Sequence, residues 1–376
     1  MRSGITLKLR LYSEGKVSFY STDLEELAKM GIPYTKAPVF YNPRMKLNRD
    51  IAITVFSSLN LRSAADLMAA SGVRALRLKV EGGAEEVIAC DSNCLSVQVM
   101  KINVRLNGVT GMRVKCSDAR LEAERMAYEN ERVDYIDLDP FGSPAPYLDS
   151  FLRALRRGGI IGVTATDEPP LFGIYPRKLL RYYGIWGRKL PSCKEFGIRA
   201  LISFVIRTAA RMDLAAEPVL SYGEGHYVRA YFRLVRGASR VEKLLEELGW
   251  VSYREGDLEY FRGLDQLPGG VPDAMGPIWL GRIVNTEFLN SLKPVNPEVE
   301  RLFSKLKEEA EGPPLYIRLD ELCSNLNVRT PKVNEVIRLL RETGHFAART
   351  HLDPLGIKTT ASKKEIEELL RSVTSS

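Results

Sequence analysis

Histidine is almost missing from this chain: three occur among 376 residues. Cysteine is little commoner. The five present, Cys90, Cys94, Cys116, Cys193 and Cys323, are an odd number without the spacing of a disulfide framework. Cys90 and Cys94 stand close together, but no second pair completes the ligand set of a structural zinc. We therefore expect no metal and no disulfide scaffold, and read the cysteines as buried or incidental. No run approaches the roughly 18 apolar residues that a membrane helix needs. The first 20 residues alternate apolar and polar types, a strand pattern without a signal peptide's apolar block or cleavage site. These absences argue against a membrane and for a cytoplasmic protein. A full Gly-x-Gly-x-x-Gly fingerprint is also missing, which disfavours a ligand carrying a pyrophosphate.

What is present suits two or three ordinary domains: 45% of residues are hydrophobic and 27% are charged. The net charge of +7 hints only weakly at a polyanionic partner. Its distribution says more. Between Phe151 and Arg240, basic residues outnumber acidic ones. Arg153, Arg156, Arg157, Arg177, Lys178, Arg181, Arg188 and Lys189 are interleaved with Tyr175, Tyr182, Tyr183 and Trp186. Cations that meet phosphates and rings that stack on bases suit RNA. The ordinary alternative is a solvated helix face beside core aromatics.

From Ser63 the hydrophobic pattern alternates between strands and helices. Strands are expected at 63–66, 85–91, 112–118, 133–139 and 160–167, with helices between them. The last of these helices is expected to run from Tyr147 to the paired Gly158 and Gly159. An earlier helix is expected over Asp23–Met30, with Thr22 as its cap, and another from about Asn48 to Leu59. Strands separated by helices imply a mostly parallel, doubly wound α/β sheet covered on both faces. EPVLSY and HYVRAYFRLVRG then read as a late antiparallel pair at one edge. The pattern changes near Gly237. We place a boundary there, giving domains 1–237 and 238–376. SRVEKLLEELGW reads as a helix, and the Gly- and Pro-rich stretch from Tyr253 to Pro277 as irregular. Leu319–Leu326 and Pro331–Thr343 read as two helices, the second capped at Thr330, followed by a two-stranded wing at 344–351 and 356–360. That smaller α+β region is winged-helix-like. Arg338, Arg341, Arg349, His351 and Lys358 are its candidates for RNA phosphates.

Four successive strands end in a carboxylate: Asp66, Asp91, Asp118 and Asp139. Open parallel sheets bind ligands at that edge. The small residues Ala69, Ala70, Ser71 and Gly72 let a ligand approach the backbone N–H groups of the next helix. Asp91 is placed to accept from two ribose hydroxyls. Asp118, beside Ala119, suits an adenine amine and its flat ring. A nucleoside without phosphates fits best, which points to S-adenosylmethionine. Asp139-Pro140-Phe141-Gly142 suits amino methylation. A conjugated exocyclic amine is a poor nucleophile, and a carboxylate that accepts its N–H concentrates the lone pair toward the methyl group. The neighbouring aromatic ring fixes the plane of the base.

These residues carry a family resemblance over nearly the whole chain. Phe40-Tyr41-Asn42-Pro43-Arg44-Met45 with Asn48-Arg49-Asp50 resembles the N-terminal signature of tRNA (guanine-26-N2) dimethyltransferases. Ser71–Arg77, Ile136–Pro144, Thr164–Asp167 and Gly276–Gly281 resemble later blocks of the same family. The resemblance implies a Rossmann-like methyltransferase fold that uses S-adenosylmethionine on tRNA. It implies that Arg49, Gly72, Arg77, Asp91, Asp118 and Ala119 meet the cofactor, with Arg74 a further candidate. Arg49 or Arg77 would take the methionyl carboxylate. Asp139 would engage the guanine amine, and Phe40 and Phe141 would sandwich its ring. The Cys-x-x-Cys ligands of some members are not found between Ala200 and Asp320, so no zinc or other metal is expected. The alternatives are an adenine-N6 methyltransferase and a non-enzymatic winged-helix nucleic-acid binder. The oligomeric state stays open.

Overall fold

The structure, a computed structural model, describes residues 8–254, 257–265 and 273–374. The expectations for Met1–Leu7 and for part of the Gly- and Pro-rich stretch lie outside these residues. In chain order, a hairpin, β1 (Leu9–Glu14) and β2 (Val17–Thr22), precedes α1 (Leu24–Lys29) and α2 (Lys46–Ser58). The alternating part follows as β3 (Ser63–Asp66), α3 (Val73–Val80), β4 (Glu86–Asp91), α4 (Cys94–Leu106), β5 (Met112–Cys116), α5 (Ala119–Tyr128), β6 (Val133–Leu138), α6 (Leu148–Ala154) and β7 (Leu155–Ala165). Then come α7 (Glu168–Leu171), α8 (Pro176–Tyr183), α9 (Cys193–Ala210), β8 (Leu214–Glu224) and β9 (Tyr227–Arg236).

The seven-stranded sheet has the order β5-β4-β3-β6-β7-β9-β8. β3 pairs in parallel with both β4 and β6, β4 with β5, and β8 runs antiparallel to β9. The chain thus crosses over on both sides of β3, the doubly wound arrangement that the sequence implies. The gap between β3 and β6 is the switch point where such sheets bind ligands. The strands are apolar because both faces are covered: Ala64, Ala65, Ile88, Ala89, Ile136 and Leu138 are all buried.

Two local readings are corrected. The helix expected up to Gly158 and Gly159 stops at Ala154, and its tail is extended in β7. A Cβ on Gly159 would lie 2.8 Å from the Asp134 carbonyl, so this glycine marks a close strand approach rather than a helix stop. The cap of α1 is Asp23, not Thr22: Asp23 accepts from the Glu25 and Glu26 N–H groups. The cysteine expectation is also revised. Cys94 and Cys116 form a disulfide with a Cα separation of 5.3 Å, because α4 starts beside the end of β5. The other three cysteines are free.

Contacts divide the chain into two compact units, which do not follow a single cut at 237. The first holds 1–139, 147–162 and 291–300. In it, α4 closes the edge of the hairpin with two asparagines one turn apart. Asn103 and Asn107 each accept from and donate to the backbone of β2, at Tyr20 and Ser18, as a neighbouring strand would. Asn296 reaches Asp50 on α2 at 2.8 Å, which ties the 291–300 segment to this unit.

The second unit holds 140–146, 163–290 and 301–376. It includes α10 (Ala238–Glu246), β10 (Leu248–Arg254), β11 (Asp257–Arg262), β12 (Met275–Trp279), α11 (Thr286–Ser291) and α12 (Pro297–Glu309), the last two only in part. Buried α9 packs against β8, β9, α10 and β12 alike, so the residues on either side of 237 share one core. The helix expected over SRVEKLLEELGW stops at Glu246, its last residues begin β10, and the stretch expected to be irregular holds the end of β10 and β11, which pair antiparallel. Its alternation, WVSYR against DLEYFR, is a strand signal that the glycines and prolines further on obscured. The winged-helix reading is matched by β13 (Ile317–Arg318), α13 (Leu319–Leu326), α14 (Val333–Glu342), β14 (Ala347–Arg349), β15 (Gly356–Thr359) and α15 (Lys363–Thr374). The cap expected at Thr330 is displaced to Lys332, which makes no side-chain capping bond. Among the described residues no helix is long and apolar enough to cross a membrane.

Candidate active site

The strand-end carboxylates are fixed by backbone geometry before any ligand is considered. After β3 the chain turns through Ala70, with φ +47°, and Gly72, with φ +81°. Gly72 is required twice over: its φ is left-handed, and a Cβ there would lie 2.5 Å from Met100. Asp91 holds this turn, accepting from the Ala70 N–H at 2.8 Å through Oδ2 and from the Asn93 N–H at 2.8 Å through Oδ1. Asp118 caps α5 through Oδ1 alone, accepting from Arg120 and Leu121. The Arg120 guanidinium also reaches Oδ1, at 3.3 Å. Ala119 follows as a small buried residue.

Asp139 lies just past β6 with its side chain 19% exposed. Arg74, projecting from α3, forms ion pairs with both Asp137 and Asp139 and donates to Asn48 Oδ1 at 3.0 Å. Asp137 and Asp139 are two apart on an extended segment and therefore point to one side. Sequence reasoning missed Asp137 and Asn48, although that alternation was available. Arg74 thus holds Asp139 in place. Two residues further on, Phe141 is 68% exposed, a large area for an aromatic ring. Its turn is stitched to the residues after β7: Gly142 N–H donates to Thr166 Oγ1 at 2.7 Å, and Thr166 N–H to the Gly142 carbonyl at 3.0 Å. Phe40 is half-buried and lies 6.2 Å from the Tyr34 ring.

Arg49 and Arg77 converge on Glu14 of the hairpin. Arg49 Nε donates to Glu14 at 2.7 Å and Arg77 Nη1 at 2.8 Å, while Arg77 also pairs with Asp50 and Glu81. Both guanidiniums are buried. Burial alone would raise the Glu14 carboxyl, but the two cations outweigh it and hold it below the usual range. Glu14 was not foreseen, because its partners are 35 and 63 positions away.

Asp66 ends β3 and is buried. Burial pushes its carboxyl up to about 6; Arg74 opposes the shift, while Asp139 and Asp91 add to it. The folded protein therefore keeps this proton to a higher pH than the unfolded chain does. Its contribution to stability falls as pH rises from about 4 through 6 and is fully unfavourable above that. Asp66→Asn is expected to raise stability at pH 7 by up to about 3 kcal/mol and to change little near pH 4. Thermal midpoints of the two proteins across this range check it; a pH-independent difference would contradict it.

The basic stripe splits into two parts. Arg153 and Arg156 pair with Glu124 and Asp134. The cations of α8 and the loop after it have no such partners among the described residues. In the winged-helix region, Arg338, Arg341 and Arg349 line a cleft with Glu308, Asn334, Ile337 and Glu342, and Arg338 pairs with Glu342 at 2.7 Å. Lys358 and His351 do not join them. Both are buried, against Glu195 at 2.8 Å and against Glu309, so their expected role toward phosphates is withdrawn.

Residues 16–371 match the family described as N2,N2-dimethylguanosine tRNA methyltransferase. The chain is 36% identical to the tRNA (guanine(26)-N(2))-dimethyltransferase of Pyrococcus horikoshii, over 93% of this chain and 97% of that one. It is 35% identical to the protein of the same name from Metallosphaera sedula, over 98% and 97%. The solved structure of Trm1 from Pyrococcus horikoshii with S-adenosyl-L-methionine superposes with a TM-score of 0.86 at 34% identity, covering 96% of this chain and 99% of that one. With the strand-end carboxylates and the Asp-Pro-Phe turn in place on the same fold, the chain belongs to the N2,N2-dimethylguanosine tRNA methyltransferase family.

Proposed function

We infer that this protein transfers methyl groups from S-adenosylmethionine to the exocyclic N2 amine of a guanine in tRNA, expected at position 26, giving N2-methyl- and N2,N2-dimethylguanosine. The observation that carries this reading is Asp139, held by Arg74 at the β6 end and followed by the outward Phe141. When bound, S-adenosylmethionine supplies an electrophilic methyl group on a sulfonium. The protein's part is acceptance and orientation. Asp91 accepts from the ribose hydroxyls, Asp118 Oδ2 from the adenine amine, and Gly72 and Ala119 leave room for backbone approach. Asp139 accepts an N–H of the guanine amine and aims its lone pair. Phe141 gives one stacking face, and the resemblance assigns the other to Phe40. No strong base is required, since the methylated amine loses its proton readily. Arg49 and Arg77 already hold Glu14, so a methionyl carboxylate bound there must share their N–H groups with it.

A base within folded tRNA is stacked, and its amine becomes reachable only when the nucleotide is extruded. Arg341 and Arg349 are the cleft's cations for RNA phosphates, while Arg338 is paired with Glu342. A tRNA substrate fits a cytoplasmic site of action. Purified protein incubated with labelled S-adenosylmethionine and unmodified tRNA is expected to yield N2-methylated guanosines at one position by nucleoside mass spectrometry. N6-methyladenosine would support the adenine alternative, and no label in RNA the non-enzymatic one.

A further inference from the structure

From Pro169 to Lys194 the chain has no acidic residue but six cations, Arg177, Lys178, Arg181, Arg188, Lys189 and Lys194. None of them pairs with a carboxylate among the described residues, although ion pairs are common elsewhere in the chain. Three aromatic rings in this segment are turned outward: Tyr175 at 57%, Tyr182 at 39% and Trp186 at 50% exposed. Lys178 and Arg181 lie over the Tyr182 ring at 5.3 and 5.9 Å.

These rings sit on a rigid mount. Trp186 exchanges backbone hydrogen bonds with Gly276 in both directions, at 2.9 and 2.8 Å. Gly173 packs so closely on Arg188 that a Cβ would lie 2.4 Å from its carbonyl carbon. The backbone is therefore clamped while the indole stays exposed. The mount is also wired to the Phe141 turn. Tyr183, at the buried end of α8, donates to Asp167 at 2.7 Å and accepts from Ser143 at 2.9 Å, two residues after Phe141.

We propose that α8 and the loop to Lys189 form a stacking platform for unpaired nucleotides that neighbour the target guanine. Tyr175, Tyr182 and Trp186 take base faces, and Arg177, Arg181 and Lys189 take phosphates. Rings held outward beside cations that form no ion pair match single-stranded RNA, whose bases are free to stack, better than duplex, whose bases are not. This deepens the tRNA reading and rests on it.

The test uses the full chain. Trp279 is buried and Trp250 half-buried, so the indole that a base can reach and quench by stacking is chiefly Trp186. A single-stranded oligoribonucleotide is expected to quench it, and a duplex of equal length far less. Trp186→Phe is expected to lose the quench while still binding. Tyr175→Ala with Trp186→Ala is expected to raise KM for tRNA by about ten-fold or more, as loss of base stacking does, with a much smaller change in kcat. S-adenosylmethionine affinity by calorimetry is expected to stay at the wild-type value, which also shows the variant folded. Equal quenching by duplex, or an unchanged KM in a variant that binds the cofactor normally, overturns the platform. Failure of the wild-type protein to methylate tRNA would instead overturn the reading beneath it.

Discussion

Asp139→Ala is expected to lower kcat for tRNA methylation by about a thousand-fold, as removal of a single preorganised group at a reacting centre commonly does. The carboxylate is the acceptor placed where β6 ends and the outward Phe141 follows. Without it the guanine amine keeps its lone pair in conjugation with the ring. Asp139→Asn is expected to fall between the two, because an amide keeps one acceptor oxygen but also presents an N–H₂ to the amine. The fold is expected to survive both changes. Arg74 retains its ion pair with Asp137 and its bond to Asn48. Circular dichroism and the thermal midpoint therefore stay near wild type, and S-adenosylmethionine still binds. Single-turnover kinetics with saturating cofactor separate the chemical step from binding. A variant that kept a tenth of wild-type kcat would remove Asp139 from the centre of the mechanism.

The sequence reveals this site so readily because each part of it is local. A carboxylate at or just past the strand end recurs four times, at β3, β4, β5 and β6, and β3 adds a small-residue turn. The parallel sheet then gathers the four ends along one edge without further instruction. What stays illegible depends on contacts distant in sequence. Arg49 and Arg77 read as ligands for an external carboxylate because nothing near them signals that Glu14 lies between them. Lys358 and His351 read as surface cations for the same reason, although Glu195 and Glu309 bury them. The tail of α6 misled differently. Paired glycines commonly end helices, but here they let β7 approach β6. Periodicity distinguishes helix from strand; it does not say which partner lies across the fold.

Glu14→Gln is expected to cost about 3–5 kcal/mol of stability, the usual range when one member of a buried ion cluster is removed. Arg77 would keep Asp50 and Glu81. Arg49 would lose its countercharge and keep neutral partners: the Gln amide oxygen, the Asn42 carbonyl at 3.1 Å and the face of Tyr41, 5.3 Å from its guanidinium carbon. A buried cation so poorly compensated is the main source of the loss, more than the bonds themselves. Differential scanning calorimetry would register it as a large fall in the unfolding midpoint of the first unit. Because the Glu14 carboxyl lies below its ordinary range, its contribution is present above about pH 4 and lost as pH falls through the lowered value. The wild-type advantage over Glu14→Gln therefore shrinks on acidification. Adding Arg49→Met to Glu14→Leu removes charge and countercharge together and is expected to recover part of the midpoint, since apolar replacement of a buried pair is often neutral or better. A stable Glu14→Gln protein that also bound S-adenosylmethionine more tightly would show the reverse order of importance, with Glu14 competing for guanidiniums that belong to the ligand.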